Sequence, residues 1–75
     1  MSTPRTLTTA EWEHVQHKLA RMFLAARLGS PERDRVTAIQ MELDAALALP
    51  DIEPGDRQAR LARIADVAIK HDLLS

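Results

Sequence analysis

Three consecutive residues, Gly29-Ser30-Pro31, constrain this chain more than any others. A glycine supplies the left-handed residue that follows the last turn of a helix. Serine is a strong N-cap. Proline suits the first helical position, where its missing N–H would have no partner anyway. One helix therefore ends and another begins with no spacer. Two helices joined this tightly pack as an antiparallel hairpin.

The first helix announces its start as clearly. Thr8 and Glu11 have capping-box spacing: the Thr8 hydroxyl accepts from the Glu11 amide, and the Glu11 carboxylate accepts from the Thr8 amide. Leu7 and Trp12 then fall where a hydrophobic staple closes over the cap. Glu32 and Asp34 lie in the first turn of the second helix, where the helix dipole favours acids. Pro50 stops that helix and PDIEPG makes a turn. The third helix starts with either Pro54 at its first position or Asp56 as N-cap. It carries two acid-before-base pairs at i, i+4, Asp56 with Arg60 and Asp66 with Lys70. No segment alternates with period two, so no strand is expected. The expected fold is an all-α three-helix bundle with short connections, its helices near 9–28, 31–49 and 55–72. Residues 1–7 read as a flexible lead-in and 8–75 as a single domain.

At 75 residues the chain fits one small domain, of a size that is often marginal alone. Without cysteine it has no disulfide, thiolate metal site or thiol nucleophile. Ten Lys and Arg against eleven Asp and Glu argue against a protein whose main work is coating nucleic acid. MSTPRTLTTAEW has no apolar signal core, and no apolar run approaches the roughly 20 residues of a membrane span. The expected location is the cytoplasm, with no membrane partner.

At about 100° per residue, Trp12, Val15, Leu19, Met22, Phe23 and Ala26 share one side of the first helix. Leu61, Ile64, Ala65, Ala68 and Ile69 make a stripe on the third. In the second, Val36, Ile39, Leu43, Ala46 and Leu47 form a core face. Its opposite side carries Ala38, Met41, Ala45, Ala48 and Leu49, with Thr37, Gln40 and Asp44 as a narrow polar strip between. A helix apolar nearly all round is normally buried. Either the second helix is wedged between the other two, or its small-residue face meets another chain. The expected core is Trp12, Val15, Leu19, Met22, Phe23, Val36, Ile39, Leu43, Leu47, Leu61, Ile64, Ala65 and Ala68.

Glu11-x-x-His14 has the spacing of a di-iron carboxylate motif, and His14-x-x-His17 would reach one metal. A di-iron site needs two such motifs facing a core, and this one faces away from the apolar stripe. Glu13, His14, His17, Lys18 and Arg21 read instead as the wet side of a helix. His71 suits the C-terminal end of the third helix. No metal or cofactor is expected. The serines are a tail, a cap and a terminus, and there is no Gly-rich phosphate loop and no G-x-S-x-G. No nucleophile, base and orienting group are set up together, so the chain is not expected to be an enzyme.

These readings predict a small non-catalytic interaction protein: a regulator, adaptor or accessory subunit acting through helix surfaces on a protein partner or on itself as a homodimer. Its expected interface is Met41, Ala45, Ala48 and Leu49, extended by Leu24 and Leu28. The alternative is a compact DNA-binding transcriptional regulator. It would read base edges with Arg57, Gln58 and Arg60 at the start of the third helix, with Arg33 and Arg35 on phosphates. Asp51, Glu53 and Asp56 crowd that turn and oppose phosphate binding.

Overall fold

The computed structural model describes residues 5–75 and folds them into three helices with no strand among them. The helices are α1 (Thr9–Ala25), α2 (Pro31–Leu47) and α3 (Asp56–Lys70). Residues 1–4 of the expected lead-in lie outside the described residues. The remainder of that lead-in is built into the fold. Arg5 pairs with Glu11, and Leu7 packs against the core cluster.

The predicted capping box is present in both directions. Glu11 N–H donates to Thr8 Oγ1 at 3.1 Å, and Thr8 N–H donates to Glu11 Oε1 at 3.0 Å. α1 stops at Ala25, short of the expected 28, with Ala26 in an extended conformation. Arg33, on the first turn of α2, explains how this early end is tolerated. Its guanidinium lies 3.5 Å from the centre of the Phe23 ring and donates to the carbonyls of Phe23 and Ala26, both at 3.3 Å. α1 has no base in its own last turn, and the neighbouring helix supplies one. Residues 27–30 then make a tight turn, with Gly29 at φ 80° and Ser30 N–H donating to the Arg27 carbonyl at 3.1 Å. Ser30 caps α2 through the amide of Arg33, as its position predicts.

α2 ends at Leu47 because Pro50 biases Leu49 away from helical backbone. The start of α3 follows neither of the two expected forms. Glu53–Asp56 is a turn with proline second and glycine third, closed by Asp56 N–H to the Glu53 carbonyl at 3.1 Å. Gly55, at φ 93°, suits the third position of a type II turn and becomes the N-cap. Asp56 is the first helical residue. Its carboxylate turns back to accept the amides of Ile52 (3.1 Å) and Glu53 (2.8 Å).

The chain then folds back at the end of α3. Asp72 adopts a left-handed conformation, φ 54°. Leu73 N–H reaches the Ala68 carbonyl at 2.8 Å and Asp72 N–H reaches the Ile69 carbonyl at 3.1 Å. This is a Schellman motif, and it drives Leu73 fully into the core. Lys18 of α1 holds the resulting hook, donating to the carbonyls of Asp72 (2.9 Å) and Ser75 (3.1 Å).

The core cluster joins Val15 and Leu19 of α1, Ile39, Leu43 and Ala46 of α2, Ile64, Val67 and Ala68 of α3, and Leu73. Val36 and Ala65 are buried beside it. Three expectations need correction. Phe23 and Leu47 are 44% and 45% exposed and so are not core. Trp12, Met22 and Leu61 are only half-buried. On α3 the buried face is turned toward Val67, leaving Ile69 half exposed. α2 packs against both other helices. That central place does not cover its small-residue face, since Ala38, Met41, Ala45, Ala48 and Leu49 are all exposed.

Candidate functional site

α3 and the hook cover one side of the α1/α2 hairpin. On another side the two helices leave an open groove of about 860 Å³. No α3 residue contributes to its walls. From α1 come Trp12, Gln16, Ala20, Phe23 and Leu24; from α2 come Thr37, Gln40, Met41, Asp44 and Leu47. Leu19 and Leu43 form the floor. The walls are thus mostly apolar, with the polar strip of α2 along one side. Gln40 Nε2 donates to Asp44 Oδ1 at 3.3 Å within that strip.

All six residues expected at the interface are exposed. The groove brings two of them together from different helices, Met41 (66% exposed) and Leu24 (83%). Leu28 stands on the turn between α1 and α2, while Ala45, Ala48 and Leu49 lie outside the groove walls. Trp12, Phe23 and Leu47 were not in the expected interface, yet they line the groove. Their places on the helical wheel hold the signal. Phe23 and Leu47 sit at the margin of their apolar stripes, next to Gln16 and Gln40, so a modest helix rotation decides whether they are covered.

The residues of the DNA-reading alternative are differently engaged. Arg57 and Gln58 are exposed, but Arg60 is held by the Asp51 carboxylate at 3.2 Å. Arg33 donates through Nη1 to the carbonyls of Phe23 and Ala26 with its guanidinium over the Phe23 ring, while Arg35 is exposed. The histidines part company. His14 Nε2 lies 3.1 Å from the Ser75 carbonyl, His17 is exposed, and His71 contacts Glu42 at 2.9 Å. Among the described residues no group of three or more His, Asp or Glu side chains is placed to hold a metal ion.

Two carboxylates have lowered pKa values. Hydrogen bonding by His71 and then by Lys70, whose Nζ is 3.1 Å from Oε1, favours the ionised form of Glu42. The backbone amide of Thr8 is the main cause at Glu11, assisted by Arg5. Both are structural ties, one between α2 and the end of α3, the other at the cap of α1. Neither lines the groove.

No protein-family profile matches the chain, and no curated protein or solved structure is significantly similar to it. No helix among the described residues is long and apolar enough to cross a membrane.

Proposed function

We propose that this chain is a small non-catalytic protein-interaction module of the cytoplasm, a regulator, adaptor or accessory subunit that works through the α1/α2 groove. One observation carries the reading. Trp12, Phe23, Leu24, Met41 and Leu47 stand together on one side of the hairpin, in or around the groove, with no wall contributed by α3. Contiguous exposed apolar surface is uncommon on small soluble proteins and marks places where another molecule docks. Methionine at the rim adapts to the shape of what it meets. The DNA-reading alternative has less support, because Arg60 is spent on Asp51 and acids crowd the start of α3.

The test is site-directed photo-cross-linking in cells. A photoreactive residue replaces Met41 in one strain and Arg63, exposed on α3 away from the groove, in another. The expected result is a defined covalent adduct from position 41 and none from position 63. No adduct from position 41, or equal adducts from both, would overturn the reading.

A further inference from the structure

We infer that the occupant of the groove is a second copy of this chain, laid antiparallel so that α2 packs on α2 of its twin about a twofold axis. This rests on the reading of the groove as an interaction surface and names what fills it.

The polar side of the groove points to this occupant. Thr37, Gln40 and Asp44 line it, and Arg33, outside the groove walls, lays its guanidinium over the ring of Phe23, which is part of them. These four residues are spaced four, three and four apart, so they share one face of α2. The spacing is the same read in either direction, about a point between Ala38 and Ile39. The chemistry obeys the same symmetry. A base stands at one end and an acid at the other, with a hydroxyl and an amide between.

A twofold axis through that midpoint makes the strip complementary to itself. Arg33 of each copy then faces Asp44 of the other, and Thr37 faces Gln40. A parallel arrangement would instead set arginine beside arginine and aspartate beside aspartate, which costs affinity. A guanidinium has five N–H donors in a planar fork. The hydrogen bonds of Arg33 to the carbonyls of Phe23 and Ala26 run through Nη1, and with the guanidinium over the Phe23 ring its other N–H groups are left to meet a carboxylate. Twofold pairing of one patch on itself is also the commonest form of closed assembly. In this arrangement each α2 sits in the other copy's groove and covers its Met41 and Leu24. The hydrophobic rims supply affinity and the polar strip fixes direction and register.

The experiment uses purified full-length chain. Sedimentation velocity across a concentration series is expected to show a reversible monomer–dimer equilibrium for the wild type. Asp44→Arg places arginine opposite Arg33 of the other copy and is expected to raise the dissociation constant by about ten- to a hundredfold, with the circular dichroism spectrum unchanged. Register is read by disulfide trapping, since the chain has no cysteine of its own. Thr37→Cys chains mixed with Gln40→Cys chains are expected to oxidise to the mixed dimer faster than either chain does alone. A wild type that stays monomeric at every concentration overturns the inference. So does a dimer that tolerates Asp44→Arg, or one whose self-disulfides outrun the mixed one. A monomer that nevertheless gives a cellular adduct from position 41 defeats this inference and leaves the interaction module standing. A monomer with no such adduct defeats both.

Discussion

Asp72 occupies a position that helices usually give to glycine. Its left-handed backbone, φ 54°, lets the amides of Asp72 and Leu73 return to the last carbonyls of α3 and aims Leu73 into the core. An aspartate tolerates this conformation better than most residues but still at a cost. Asp72→Gly is therefore expected to stabilise the domain by about 0.5–1 kcal/mol, raising its thermal midpoint by about 2–8 °C. The Lys18 contact is to the backbone carbonyl and survives the change. A lowered midpoint would show that the Asp72 side chain contributes more than its backbone costs. The same residue explains a gap in what the sequence reveals. Gly29 and Gly55 advertise their turns, and both have positive φ. Nothing about an aspartate after His71 advertises a reversal, so Leu73 is missing from the expected core although it is fully buried.

At the scale of the elements, the caps of α1 and α2 were legible to the residue, because capping rests on local hydrogen bonds that Thr8, Glu11, Ser30 and Pro31 can make without the rest of the fold. The C-terminal ends were less so. α1 ends where Arg33 of another helix can reach its carbonyls, which is a tertiary fact. The orientation of α3 is tertiary too. Lys70 and His71 both reach Glu42 on α2, and with them in place Val67 rather than Ile69 faces inward. Glu42 gives that tie a pH dependence. Its pKa in the fold is below the ordinary 4.5, chiefly through the His71 hydrogen bond. The stabilisation it gives is therefore complete above pH 4.5 and is lost as pH falls through the lower folded value. Glu42→Gln should reduce the thermal midpoint near neutrality and flatten its fall in acid, with the two proteins converging below the folded pKa. Parallel curves for wild type and variant from about pH 3 to 7 would remove Glu42 from the acid response. Glu11, lowered in the same sense, acts in both proteins and cancels in the difference.

At the scale of the whole molecule, the three-helix architecture follows from punctuation and periodicity, but the groove does not. A helical stripe shows how wide an apolar face is, and nothing in it says which flank the third helix will cover. Phe23 and Leu47 read as core because they extend the stripes of Leu19 and Leu43. α3 settles on another side of the hairpin and leaves them half exposed. The sequence did carry one sign of this, in the apolar character of α2 nearly all the way round. Met41 was legible as surface for that reason, and Leu24 because it lies off the main apolar stripe of α1, whereas Trp12, Phe23 and Leu47 were not. We propose that this groove is a docking surface filled by a second copy. The chain's three methionines allow it to be read directly in the methyl NMR spectrum. Met41 stands at the groove and Met22 packs, half-buried, against the core as an internal control. As the protein is concentrated from micromolar to millimolar, the Met41 methyl signal should shift or broaden while that of Met22 stays in place. A Met41 signal that is unmoved across the same range, with Met22 equally still, would contradict the account.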